Sequence, residues 1–338
     1  MRSFWLFRSD IKNLEYYHEF KDLQIFKKKC HDYYLLLPLW LLENDYFDEV
    51  VIWRLTKPDR PDIVFDINGK KFIQRWVHNF NQTYDYPAPE ISFWRGGFQV
   101  YDTVTKEKPK QFGFKLYLGA GKRITSQWGG RYDKYLIEDE RDGEKIKGSI
   151  PFYKTASPEI FKPIETTKDW HFCWPCNFSQ LNYKGAAFLM DVIGSCRNLK
   201  NLKFVHCGNK PEVGKKMAKD RGLKNIDFVG SVDREKLNEY LNRSFFGLNM
   251  SNQNDGCPRV STEILMSGTP LIIRDTARLL QFFKQNWSIE CDAKTTMRRL
   301  RDGIKARERF MTNAKNGREK VFSFENVNKK NYKIWQKI

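Results

Sequence analysis

Residues Phe245 to Asp275 read FFGLNMSNQNDGCPRVSTEILMSGTPLIIRD, and the chain is organised around them. Phe245 to Met250 has the apolar density of a short buried strand, and the polar run Ser251 to Asp255, with Gly256 and Pro258, ends it as a loop. Pro258 suits a first helical turn, where its missing N–H has no intrahelical partner. Gly268 suits a helix end, so Arg259 to Met266 is expected to be helical. Thr269 to Arg274 reads as another strand. Strand, loop, short helix and strand make one α/β unit, in which ligands collect at the carboxyl ends of strands and the helix amino terminus offers N–H groups to an anion. Asp255 and Glu263 stand eight positions apart across that helix start.

Outward from this stretch the alternation continues. Strands are expected near 171–176, 202–207, 226–229, 245–250 and 270–274, and helices near 184–197, 211–221, 233–243 and 259–267, the pattern of a doubly wound parallel sheet. Within it stand FKP at Phe161 to Pro163, YKG at Tyr183 to Gly185, LKFVHCG at Leu202 to Gly208 and DFVGSVDREKLNEYL at Asp227 to Leu241. These landmarks, in this order, together with an acid-x7-acid spacing followed by a small residue, Gly, any residue and Pro, resemble the retaining GT-B glycosyltransferases, family 4 (glycosyl transferases group 1) above all. The resemblance covers roughly the carboxyl-terminal half. Two positions depart from it: the first acid is Asp255 where Glu is usual, and Asn177, Phe178 and Ser179 stand where a basic residue commonly precedes the motif lysine.

The resemblance implies an α/β protein of GT-B type, two Rossmann-like domains facing a central cleft with a carboxyl-terminal helix crossing back to the first. On that pattern residues 1–152 are an amino-terminal, acceptor-binding domain and 153–163 a linker. Residues 164–321 are the nucleotide-sugar-binding domain, and 322–338 the returning helix. It implies a retaining hexosyltransferase moving a hexose from a GDP- or UDP-sugar to a saccharide or glycan hydroxyl. In such a reaction the sugar becomes oxocarbenium-like while the diphosphate gains charge. Lys184 and the helix start, Gly256, Cys257, Pro258, Arg259, Val260 and Ser261, would hold the diphosphate, with Arg259 as the second cation. Asp255 would accept hydrogen bonds from the donor sugar and Glu263 from the ribose diol. Gly185 and Gly208 would line the site, and the base would lie near Val229 and Gly230. Asp255, Lys184 and Arg259 are thus the expected catalytic groups. No Asp-x-Asp occurs in the sequence, so metal-independent transfer with no cofactor beyond the donor is expected.

Composition bounds the partners. The 338 residues carry 59 Lys and Arg against 41 Asp and Glu, a net charge of +18, which calls for an anionic partner: a nucleotide-sugar, an anionic membrane touched peripherally, or nucleic acid. No nucleic-acid fold signature or zinc-finger spacing accompanies the charge, so nucleic acid is not expected. Seven cysteines without framework spacing suit a reducing compartment, and Cys173 and Cys176 read better as structural residues than as a redox or zinc CxxC. With neither a signal peptide nor a membrane span in view, a cytoplasmic, soluble protein is expected.

In the amino-terminal half, Ser3 to Phe7, Glu49 to Leu55, Asp62 to Asp66, Phe112 to Leu118 and Tyr132 to Ile137 read as strands and Asn13 to Lys29 as a helix. Two clusters, Trp94-Arg95-Gly96-Gly97 and the WGGR beginning at Trp128, combine stacking surface with backbone access. Either could line the acceptor site, and tight turns with core tryptophans are the alternative. Two other functions stay open on sequence alone, a sugar-nucleotide epimerase on the same fold and a basic nucleic-acid-binding protein.

Overall fold

The computed structural model describes residues 1–8, 20–55, 60–95, 107–118, 132–138, 148–178, 184–195, 202–252, 259–274, 288–291, 298, 302, 305, 307–320 and 323–336. The chain forms two compact units, Met1–Phe152 and Tyr153–Ile338.

The first unit holds strands β1 (Ser3–Arg8), β2 (Glu49–Leu55), β3 (Ile63–Ile67), β4 (Lys70–Val77), β5 (Ile91–Arg95), β6 (Phe114–Leu118), β7 (Lys134–Ile137) and β8 (Ile150–Pro151), with helices α1 (Leu23–Lys29) and α2 (Tyr33–Glu43). They form one sheet in the order β3-β4-β2-β1-β5-β6-β7-β8. Among the described strands only β3 and β4 pair antiparallel, joined by a tight turn whose Asn68 and Gly69 both have positive φ, 53° and 81°. Every residue of β1 is buried because both sheet faces are covered. On one face Trp5, Phe7, Trp53, Trp94 and Phe112 pack as a cluster. On the other, Phe26 of α1 lies against Phe65 and Phe72, and Tyr34 of α2 against Phe93 and Phe152. Each such ring contributes about 1.5–3 kcal/mol on burial.

Helix α2, YYLLLPLWLLE, is not among the elements expected above. Its residues from Tyr33 to Leu42 are all buried, so it has no polar face and no helical alternation to read. Asp32 starts it, its Oδ1 accepting from the Tyr34 N–H at 3.1 Å.

The second unit contains β9 (Trp170–Pro175), β10 (Phe204–Cys207), β11 (Ile226–Gly230), β12 (Ser244–Asn249), β13 (Leu271–Arg274) and β14 (Ser288–Cys291). Its helices are α3 (Ala186–Ser195), α4 (Pro211–Asp220), α5 (Arg234–Asn242), α6 (Arg259–Met266), α7 (Arg307–Lys320) and α8 (Phe324–Trp335). The sheet order is β11-β10-β9-β12-β13-β14, every pairing parallel. The alternation expected from the sequence is met element by element. FKP proves to be a brace: Asn238 and Asn242 of α5 donate to the Lys162 carbonyl at 3.0 and 3.1 Å, and Pro163 packs against Gly268, whose φ is +79°. In α8, Asn331 clasps the Tyr153 backbone with its side-chain amide, Oδ1 accepting from the N–H at 2.9 Å and Nδ2 donating to the carbonyl at 2.6 Å.

Candidate active site

In the second sheet the chain runs from β9 outward to β10 and β11, then returns to place β12 on the other side of β9. The helices that follow β9 and β12 therefore leave toward opposite faces, opening a crevice at the carboxyl ends of these two strands, where ligands of open α/β sheets bind. Two groups of the expected residues stand next to these strand ends in the chain. Lys184 and Gly185 immediately precede α3, and Arg259, Val260, Ser261 and Glu263 lie on α6.

Gly185 lets the start of α3 close onto the end of β12. Its φ is +70°, and a Cβ on it would stand 1.8 Å from the Met250 carbonyl oxygen just beyond β12. Only glycine lets the start of α3 press so closely on that strand end, with Lys184 the residue just before it. Gly208 does the same one strand over: its Cβ would fall 1.6 Å from the Cys176 carbonyl oxygen, while its N–H donates to the Gly230 carbonyl at 2.8 Å. Gly230 in turn has φ +81°. The expected glycines thus draw the edges of β9, β10 and β11 together.

Two site residues went unread in the sequence. Asn249, the last residue of β12, donates from Nδ2 to the Ser261 Oγ at 2.7 Å and accepts at Oδ1 from the Ser251 N–H at 3.1 Å. It fixes the first turn of α6 against the end of β12. Arg234, the first residue of α5, reaches Glu263 with one nitrogen, Nη1, at 3.1 Å from Oε1 and 3.3 Å from Oε2. Glu263 is 4 % exposed, so it does not lie on a solvated helix face. A buried carboxylate needs such a partner, and one shared donor leaves lone pairs on both oxygens for other hydrogen bonds.

His206 of β10 lies beneath this edge among Trp174, Phe178 and Phe228, its Nε2 2.9 Å from the Cys176 carbonyl oxygen. Burial pulls its pKa down from 6.5 to about 4, so the ring is neutral at physiological pH. Cys173, Cys176 and Cys207 are buried thiols outside any disulfide, that of Cys173 pushed up by burial and by its hydrogen bond with the Cys207 thiol. Among the described residues no group of His, Cys, Asp or Glu is arranged to hold a metal ion.

In the first unit the expectation for Trp94 needs correcting. The residue is fully buried, stacked on Phe7 with ring centroids 3.7 Å apart and donating from Nε1 to Ser92 Oγ at 2.9 Å. With its face already covered it serves the core, not sugar stacking. Its side chain points to one side of β5, and Arg95, next along, points to the other. There Arg95 stacks over Tyr34 at 4.1 Å. Asp255, Gly256, Cys257, Pro258, Gly96, Gly97 and Trp128 lie outside the described residues.

Comparison with known proteins bears on family and fold. Residues 178–317 match the family model described as glycosyl transferases group 1. No curated protein sequence matches the chain. Among solved structures it is similar to a sucrose-phosphate synthase from Thermosynechococcus elongatus, at 13% identity and TM-score 0.69 over 100% of this chain and 99% of that one. It is also similar to a glycosyltransferase from Rickettsia africae, at 9% identity and TM-score 0.72 over 99% and 98%. A third is HepE of Anabaena in complex with UDP, at 9% identity and TM-score 0.67 over the whole of both chains. At such identities the likeness carries the fold, which is GT-B. No helix among the described residues is long and apolar enough to cross a membrane.

Proposed function

From a chain that carries a group 1 glycosyltransferase domain on the GT-B fold, we propose an enzyme that binds a nucleoside-diphosphate hexose at the β9/β12 crevice. It transfers the hexose to a saccharide or glycan hydroxyl with retention and without a metal. The observation that supports this most is the Gly185–Met250 approach, which sets the residue after Lys184 against the end of β12. A diphosphate lying there meets an ammonium from one side and first-turn N–H groups with Arg259 from the other. These groups oppose the negative charge that grows as the glycosidic bond breaks. One turn further, Glu263 takes the ribose hydroxyls while Arg234 holds its carboxylate in place. Val229 and Gly230 border the base, and Asp255 faces the hydroxyls of the transferred sugar. The acceptor is assigned to the first unit.

Calorimetry against UDP, GDP, ADP and CDP in chelator tests the assignment and selects the donor class. One nucleoside diphosphate is expected to bind at physiological salt. Lys184→Ala should weaken it by about 1.5–3 kcal/mol, the range for a hydrogen bond to a charged group. Glu263→Gln should weaken ribonucleotides more than their deoxyribose analogues. Binding to none of the four, or full affinity in a folded Lys184→Ala variant, overturns the proposal.

A further inference from the structure

The first sheet has a switch point of its own. From β1 the chain builds β2, β4 and β3 on one side and returns to place β5 on the other, so the crevice of this unit opens at the carboxyl ends of β1 and β5. Arginine is the last residue of both strands and the penultimate residue of β2: Arg8 is in register with Arg54 on one side and with Arg95 on the other. Residues in register on neighbouring strands point to the same face, and strands lie about 4.8 Å apart, so three guanidinium stems rise within about 10 Å.

Stability does not account for such a row. Like charges directly opposite one another across strands repel, and buried ions can often be replaced by apolar residues without loss. Yet Arg8 and Arg54 are almost fully buried, at 3 % and 2 % exposure, and Arg95 is half-buried. Their neighbours hold them in fixed poses. Asp32 Oδ2 accepts from Arg8 Nη1 at 2.8 Å, Gln74 Oε1 accepts from Arg54 Nη2 at 2.6 Å, and Tyr34 lies under Arg95 at 4.1 Å while donating to Glu138 Oε1 at 2.5 Å. The amino terminus of α2 arrives at the same edge, capped by Asp32, adding its positive dipole end. A guanidinium stacked by its face keeps its N–H groups in the ring plane, the fork that matches a carboxylate or phosphate.

We propose that this edge of the first unit is a subsite for an anionic group on the acceptor, a phosphate or a carboxylate, with Arg95 in contact and Arg8 and Arg54 behind it. The acceptor is accordingly a charged saccharide and not a neutral one. The inference rests on the glycosyltransferase reading above and deepens it.

The test uses the full chain, titrated first with UDP and then, at saturating UDP to block the donor site, with glucose 6-phosphate, glucuronate and glucose. At least one charged sugar is expected to bind roughly tenfold to a hundredfold more tightly than glucose, the worth of one or two charge-assisted hydrogen bonds. Which of the two prevails identifies phosphate or carboxylate. Inorganic phosphate should compete with it. Arg95→Gln should remove that preference with UDP affinity within about twofold, and Arg95→Lys should restore part of it. Should Arg95→Gln fail to fold, the comparison of charged with neutral sugar on the unmodified chain still decides. UDP binding with no preference for either charged sugar overturns the anionic subsite alone. If GDP, ADP or CDP is the nucleotide that binds, it takes the place of UDP throughout this test; binding of none of the four overturns the donor reading and this inference with it.

Discussion

Replacing Gly185 by alanine should disable the donor site far more than it destabilises the fold. Two costs act at this position. A non-glycine residue at φ +70° costs about 1–2 kcal/mol in the left-handed region. The added Cβ would also lie 1.8 Å from the Met250 carbonyl oxygen, and real Cβ contacts essentially never fall under 3.0 Å, so the start of α3 and the end of β12 must part by at least 1.2 Å. Gly222, at the end of α4, separates the two costs, because its φ is +64° and nothing lies within 4 Å of its Cβ position. Gly222→Ala should therefore lose about 1–2 kcal/mol in urea denaturation and keep nucleotide affinity. Gly185→Ala should lose more stability than that. It should also bind nucleoside diphosphate at least tenfold more weakly and transfer sugar about a hundredfold more slowly, the scale expected for misplacing a site by about 1 Å. A folded Gly185→Ala protein that binds nucleotide within twofold of the parent would refute the idea that this close approach builds the site.

Other outcomes follow from the same geometry. Arg234→Met should cost about 1–3 kcal/mol, since Glu263 keeps its burial and loses its partner, and should weaken ribonucleotides more than deoxyribonucleotides; an equal effect on both would assign Arg234 to the fold alone. Trp94→Ala should destabilise by about 3–5 kcal/mol in urea denaturation with nucleotide affinity retained, whereas a loss under 1 kcal/mol with a raised acceptor KM would return the ring to the acceptor site. His206 makes stability depend on pH in one window. Its pKa falls from 6.5 unfolded to about 4 folded, so between those values the unfolded chain binds more protons and stability rises with pH. The contribution is complete above pH 6.5 and is lost on acidification by up to about 3 kcal/mol, at 1.36 kcal/mol per pH unit. Urea midpoints from pH 4.5 to 7.5 should show a shallower slope in His206→Gln, and an unchanged slope would contradict the buried neutral ring.

The sequence alone determined the second unit and the outline of its site. Its parallel sheet alternates buried strands with amphipathic or capped helices, and both patterns are local: the apolar run of Phe245 to Met250, the Pro and Gly that bracket α6, and Asp233 at the start of α5 each act within a few residues. Lys184, Gly185, Gly208 and Gly230 were legible because they stand at fixed offsets from those strand ends. What depends on sheet order was not legible. Arg234 and Glu263 lie 29 positions apart and meet only because α5 and α6 pack side by side. The row of Arg8, Arg54 and Arg95 exists only through the register of three strands that are distant in sequence, in a half whose aromatic density masks its alternation. Helix α2 carries no periodic signal because it is buried all round, and for Trp94 a ring beside glycine reads alike whether it faces a sugar or a core. Which side of a strand is covered is a property of its neighbours across the sheet, and the tertiary structure decided it by stacking Trp94 on Phe7 and leaving Arg95 at the edge.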